Sequence, residues 1–383
     1  MQSVCPVCGR LNPESARFCL YCGGNLSISE TRYIYPEEYE HPLDREAQNF
    51  IDSTVFLPAL MKLVSNLVAS FQRIAAIGHY VKVSEKNYPR VHRLVLECAE
   101  RLSLPRLPEV YVSGRLPEGW NAFSIGSDEK PIVVIGSEVV SNLEDDELKF
   151  VIGHEFGHIK SNHLVYTTAL YALANLASLG LPDLLGLPAY IVGNALLKVA
   201  LSKWLHAAEF TCDRAGLICS GKLDASQKAL LKVHLRSKDV SEVDVDSYVS
   251  QVDKEVTWSI LVKLAELEQS HPFVPYRLRE LKTFYNSQVF HDIIAKLNSA
   301  ESGQTVPVFA NRVYYGGLPY RKGNWLERTV YLPREVKSAN LSFKAVPIND
   351  PWIERHATLE LNGYRVLDDA RVKVREGVAW SGM

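Results

Sequence analysis

The chain has 383 residues, too many for one ordinary domain. Hydrophobic residues make up 47% and charged residues 22%, which excludes a wholly disordered chain. The 42 basic and 44 acidic side chains leave a formal net charge of -2, which argues against a bulk electrostatic grip on nucleic acid or anionic lipid.

No basic, apolar, small-residue signal opens the sequence, so a cytoplasmic setting with reduced thiols is expected. Of seven cysteines, Cys5, Cys8, Cys19 and Cys22 form two CxxC pairs ten residues apart. Four thiolates at this spacing predict a tetrahedral zinc ribbon over 1–25, with a rubredoxin-like iron site as the alternative. The segment is too small to hold a core unaided, so the metal would supply its folding energy. Cys98, Cys212 and Cys219 read as buried small apolar residues.

Residues 26–49 are polar, with Pro36 and Pro42, and read as a linker. Residues 50–77 carry apolar side chains at three- and four-residue steps and predict a packed helix. A further helix is expected over 88–102, short strands at Val110–Val112 and Ile132–Ile135, and a helix over 143–163. Asp145, Asp146 and Glu147 suit the start of that last helix.

Residues 164–197 are unusually apolar and leave two readings open. They form a buried hairpin over a cleft, or a hairpin that dips into a membrane with Lys198, Lys203 and Trp204 at the interface. Helices are expected over 199–236 and 255–298, bridged by the acidic, β-branched stretch 239–253. Beyond residue 303, short β-rich runs separated by Gly, Pro and Asn predict a small all-β domain over 303–383. Its Tyr314, Tyr315 and Tyr320 suit either a binding surface or a small core.

The sharpest motif is His154-Glu155-Phe156-Gly157-His158, an HExxH. On a helix, residues four apart share a face, so both imidazoles can reach one zinc ion with Glu155 beside them. A catalytic zinc needs a third ligand and an open position. His163 falls one place off a metzincin extension and at the helix end. Glu209-Phe210-Thr211-Cys212-Asp213 offers an ExxxD in which Glu209 can bind zinc and Asp213 can orient a ligand.

The stretches NAFSIG, IVVIGSEVV, LEDDELKFVIGHEFGHIKSNH, AAEFTCDRAGL and HPFVPYRLREL together resemble the M48 family of zinc metallopeptidases, the HtpX-like gluzincins. The resemblance covers roughly 50–285 and implies a mainly helical α+β peptidase domain with a small sheet over 50–300. It implies His154, His158 and Glu209 as zinc ligands, Glu155 as catalytic base and Asp213 as the partner that orients a ligand. It further implies that His271 stabilises the oxyanion and that Arg277 helps to orient the site. Asn121, Ala122 and Phe123 match the family's NAF segment, near an edge strand that could pair with a peptide substrate.

The expected protein is therefore a multidomain zinc endopeptidase with one catalytic and one structural zinc, acting on protein or peptide substrates. The flanking modules could hold it latent or bind a regulatory protein, and 164–197 could touch a membrane. The family's integral membrane members carry long apolar spans that this chain lacks, and it looks more like soluble or peripheral members with a zinc ribbon. The competing class is a catalytically silent or membrane-associated binding or quality-control protein that uses the ribbon and β domain. The presence of Glu155 together with all three ligands favours the enzyme.

Overall fold

The computed structural model describes residues 2–5, 7–26, 33–52, 73–74, 76–114, 119–127, 130–168, 195–256, 271–301, 339–347, 353–361 and 364–372. The chain divides into two compact units, the second of which consists mainly of residues 303–383. Most of the expected 50–77 helix, residues 169–194 and the tyrosines at 314, 315 and 320 lie outside the described residues.

The N-terminal module opens with strands β1 (Gln2–Val4) and β2 (Leu11–Pro13), paired antiparallel. The glycine after each CxxC, Gly9 and Gly23, has φ +72, a left-handed turn that favours a residue without Cβ. These turns bring Cys5 Sγ to 3.6 Å from Cys22 Sγ and Cys8 Sγ to 3.7 Å from Cys19 Sγ. The module rests on the loop that follows the first long helix. Asn25 Nδ2 donates to Leu104 O at 2.9 Å, Leu107 N donates to Gly23 O at 2.8 Å, and Arg17 pairs with Glu100 at 2.7 Å.

Where a linker was expected, the chain forms helices α1 (Pro36–Tyr39) and α2 (Pro42–Asp52). The two prolines that suggested a linker start these helices, where a missing N–H costs nothing. Ile34, Tyr39 and Asp44 are fully buried against the rest of the unit.

The core begins with helix α3 (Pro89–Arg101), which buries Val91, Leu94, Val95, Cys98 and Ala99 along one face. A mixed sheet follows, built from β3 (Val81–Lys82), β4 (Glu109–Ser113), β5 (Ala122–Ser127) and β6 (Lys130–Gly136) in the order β3-β4-β6-β5. β4 and β6 run parallel; β5 pairs antiparallel with β6 and forms an edge. Alternation divides the faces: Val110, Val112, Val133 and Ile135 enter the main core, while Tyr111, Ile132 and Val134 pack with Phe123 and Ile125 on the other side.

After the short α4 (Ser137–Asn142) comes the central helix α5 (Asp145–Lys160). Its start is closed by the Glu147 carboxylate, which accepts the Glu144 N–H at 2.9 Å. It packs along α6 (Ala195–Ser220) through small residues. A Cβ on Gly153 would stand 2.6 Å from Cys219 Cβ, and one on Gly157 would stand 2.9 Å from Ala215 Cβ. The two helix axes can approach only because these positions are bare.

The expected helix over 199–236 breaks at Gly221 (φ +70), which separates α6 from α7 (Leu223–Leu235). The stretch read as a β-branched bridge is instead helical as α8 (Val245–Val256). Two further helices, α9 (Val274–Tyr285) and α10 (Gln288–Glu301), close the unit. Residues 257–270 of the expected 255–298 helix lie outside the described residues.

In the second unit, strands β7 (Ala339–Pro347), β8 (Ile353–Leu361) and β9 (Tyr364–Val372) form an antiparallel meander. Of the β-rich runs expected beyond residue 303, those at 306–310 and 328–332 lie outside the described residues. No helix among the described residues is long and apolar enough to cross a membrane. Trp204, assigned to an interface as one of the two readings, is fully buried against Tyr166 and His163, because its ring fills the core beside α5.

Candidate metal centre

His154 and His158 lie one turn apart on α5, and Glu209 lies opposite them on α6. The close approach at Gly153 and Gly157 is what brings the two helices near enough for these side chains to converge. His154 Nε2 is 3.5 Å from Glu209 Oε2, and His158 Nε2 is 3.4 Å from Glu209 Oε1. One donor atom from each of the three residues falls within 4.8 Å of the others, the compass of a single ion. All three side chains are buried.

The surroundings test whether a cation fits. Glu209 Oε2 is buried without a hydrogen bond, although His154 Nε2, Arg277 Nη1 at 3.4 Å and His271 Nδ1 at 2.8 Å all approach it. Two imidazole nitrogens converging on one buried carboxylate make a donor set that suits zinc.

The far side of each imidazole is also occupied. His154 Nδ1 lies 3.0 Å from Asp213 Oδ1. Asp213 is in turn clamped by Arg277, whose Nη2 donates to Oδ1 at 2.6 Å and Nε to Oδ2 at 2.8 Å. A proton on His154 Nδ1 pointed at the carboxylate leaves Nε2 bare and aimed at the centre. His158 Nδ1 instead faces His163 Nδ1 at 3.3 Å, and His163 Nε2 lies 3.0 Å from Asp44 Oδ2.

These contacts shift the acid–base balance of the groups. Burial disfavours the His154 imidazolium, but Glu209 and Asp213 outweigh it and push the pKa up to about 10. His158 has no carboxylate on its far side, and burial prevails, lowering its pKa. Burial alone would raise the Glu209 carboxyl; His271 and His154 overcome it and hold the group well below its usual range.

The remaining expected residues fall in or around the centre. Glu155 is buried on α5 and acts electrostatically on His158. His271 stands at the mouth with 54% of its side chain exposed, just ahead of α9, which carries the buried Arg277. Asn121 precedes β5, and Ala122 and Phe123 open that edge strand, which runs against α5. Cys98, Cys212 and Cys219 are buried, as their reading as small apolar residues requires.

The four N-terminal cysteines also converge, with their Sγ atoms within 4.8 Å of one another. Backbone N–H groups of Cys22 and Tyr21 outweigh burial at Cys19 and bring its thiol down to about 6, whereas burial and the crowding thiols push Cys22 up to about 12.

Sequence reasoning missed Asp44 altogether and gave His163 no role. Nothing local to Asp44 distinguishes it, since its partners lie on distant elements. His163 offered one signal, a third histidine five residues beyond His158.

Comparison with known proteins bears on the same region. The sequence model of Peptidase family M48 matches residues 85–284, just over half of the chain. Plastoglobule-localized metallopeptidase 48, chloroplastic, from Arabidopsis thaliana is 27% identical over 279 residues, covering 70% of this chain and 78% of its own. The Protease HtpX homolog of Ralstonia pickettii is 31% identical over 173 residues, covering 40% of this chain and 58% of its own. That of Burkholderia cenocepacia is likewise 31% identical over 173 residues, so the chain spans little more than half the length of these bacterial relatives. No solved structure matches significantly. The converging site lies within the residues that the family model covers, and the chain belongs to peptidase family M48, the zinc metallopeptidases.

Proposed function

We propose that the protein is a zinc-dependent endopeptidase in which His154, His158 and Glu209 hold the catalytic ion. The observation that carries this reading is the convergence of His154 Nε2 and His158 Nε2 on the two oxygens of the buried Glu209 carboxylate, at 3.5 and 3.4 Å. Zinc held there supplies a Lewis acid and lets water act as a nucleophile near neutral pH.

The chain's own residues divide the remaining work. Glu155 takes the proton of the attacking water and delivers it to the leaving amine. His271 is exposed at the mouth and donates to the substrate carbonyl oxygen as negative charge develops on it. Arg277 spans Asp213 and Glu209, so one guanidinium aligns the carboxylates behind and beside the ion. The edge of β5 at Asn121, Ala122 and Phe123 receives an extended peptide by strand addition.

The Cys5, Cys8, Cys19 and Cys22 cluster holds a second, structural zinc, supported by four converging sulfurs and no open position for substrate. Its described hydrogen bonds and ion pairs to the peptidase unit fall on Glu100 and the 104–107 loop.

The test is cleavage of an unfolded protein substrate by the full chain before and after zinc removal. Loss of cleavage on chelation and its return with stoichiometric zinc are expected. Cleavage that survives complete zinc removal would overturn the reading.

A further inference from the structure

Behind His158 a chain of buried polar groups leads away from the metal centre to a different part of the sequence. His158 Nδ1 is 3.3 Å from His163 Nδ1, and His163 Nε2 is 3.0 Å from Asp44 Oδ2. The exposures along this line are 8% for His158, 1% for His163 and 0% for Asp44. Thr211 Oγ1 donates to Asp44 Oδ2 at 2.6 Å and accepts the His41 N–H at 3.0 Å, which fixes the hydroxyl's direction. The edge-on ring of Trp204, 5.6 Å from His163, and the Cys212 thiol, 3.6 Å from His163 Nδ1, hold the imidazole in place.

A fully buried carboxylate is expensive, and one retained for stability alone is often better replaced by an apolar side chain. Asp44 also leaves its Oδ1 without a hydrogen bond. Its orientation has a direct chemical consequence. A carboxylate at His163 Nε2 requires the proton on that nitrogen. A neutral His163 then has a bare Nδ1, which can only accept. His158, 3.3 Å away, can then donate from its Nδ1, which leaves Nε2 bare and facing Glu209 Oε1 at 3.4 Å.

We propose that Asp44 and His163 are a positioning pair that sets the tautomer and ring orientation of His158 through a carboxylate–imidazole–imidazole chain. The two histidine ligands are then supported differently. His154 leans directly on Asp213, whereas His158 reaches its carboxylate through one more ring. Asp44 lies outside residues 85–284, so the N-terminal helical segment completes a centre whose ligands all lie within the family match. This inference rests on the reading of His158 as a metal ligand.

The test uses the full chain loaded with cobalt, whose bands at a histidine–carboxylate site differ from those at a thiolate ribbon. Asp44→Asn, His163→Phe and His163→Gln are compared with wild type for affinity at the histidine site. Losing a partner that orients a metal-bound histidine typically weakens binding by about 10–100-fold. His163→Phe should show a loss of that size, and Asp44→Asn a smaller one. His163→Gln, which can accept at one end and donate at the other, should recover part of the affinity. Wild-type affinity and bands in all three variants would overturn the proposal. His158→Ala separates the two claims: if it keeps the histidine-site bands, the ligand reading fails instead. Nitrogen chemical shifts of the zinc-loaded wild type give a test that does not depend on any variant folding. The expected forms are His158 protonated on Nδ1 and His163 protonated on Nε2, and the opposite tautomer at His158 would contradict the pair's role.

Discussion

Arg277 holds Asp213 with two hydrogen bonds, at 2.6 and 2.8 Å, across 64 residues of sequence and away from solvent. The Asp213 carboxyl is thereby kept below its usual pKa, with Arg277 overcoming the opposing effect of burial. Removing one partner leaves a buried charge uncompensated, which costs about 3–5 kcal/mol. Arg277→Met should show a loss of this size in chemical denaturation. Combining it with Asp213→Leu should recover much of the stability but not the metal affinity, because His154 Nδ1 then has no acceptor. If the double variant bound zinc like wild type, Asp213 would have no part in orienting His154.

Helix α5 is expected to reject a residue that favours helices. Alanine exceeds glycine in helix propensity by about 1 kcal/mol. At Gly153, however, the new methyl would meet Cys219 Sγ at 2.7 Å and Gly216 Cα at 3.0 Å. Overpacking of this kind costs about 1–3 kcal/mol, so Gly153→Ala should be net destabilising by urea titration and should also weaken metal binding by parting α5 from α6. A more stable Gly153→Ala variant would mean that the two helices can separate without loss.

The ribbon should behave as an independent metal-dependent module. Cys8 is the exposed member of its cluster. Cys8→Ser is expected to remove one zinc per chain and to abolish amide-exchange protection over residues 2–26, because too little core remains to hold that segment. The second zinc, at the histidine site, should stay. Metal analysis with hydrogen exchange checks both, and unchanged protection in Cys8→Ser would show that the ribbon folds without metal.

Lys160 gives a signed dependence on pH. It is 8% exposed, donates to Ser103 O at 3.0 Å and lies 3.8 Å from the Tyr33 ring centroid. Burial lowers its pKa from 10.5 to about 7, against the attraction of Glu37 and Glu38. Between these values the unfolded chain keeps a proton that the folded chain has released. This contribution therefore makes stability rise with pH across the window, and below about pH 7 the full cost of burial applies. The Tyr33 ring favours the charged form and reduces the effect. Lys160→Met should flatten the slope, with the stability gap to wild type changing by no more than about 5 kcal/mol over the window. Parallel slopes for the two proteins would show that Lys160 stays charged when folded.

The parts of the site that could be read from the sequence are those written in helical spacing. His154 and His158, and likewise Glu209 and Asp213, are four residues apart, and a helix places each pair on one face whatever the tertiary fold. The two CxxC pairs are local in the same way. Asp44 could not be found so, because its role depends on α2 meeting α6 and on a contact with His163 formed only in the folded chain. The linker reading of 26–49 failed for a related reason. Its two helices are short and largely polar, and their burial comes from single anchors such as Tyr39, whose hydroxyl reaches Ser161, and from Arg214 donating to Tyr39 O and Glu40 O. The β5 strand was expected only as a nearby edge, because Ala122–Ser127 contains too few β-branched residues to stand out.

The most direct measurement is cleavage of a diverse peptide pool by wild type and by Glu155→Gln, with zinc content matched. Glu155 is the group assigned to move the proton, and loss of such a group typically costs about 10²–10⁴-fold in rate. The account predicts that cuts made by wild type fall by that factor in Glu155→Gln while both proteins bind the same zinc. Equal cleavage by the two at equal zinc content would contradict it.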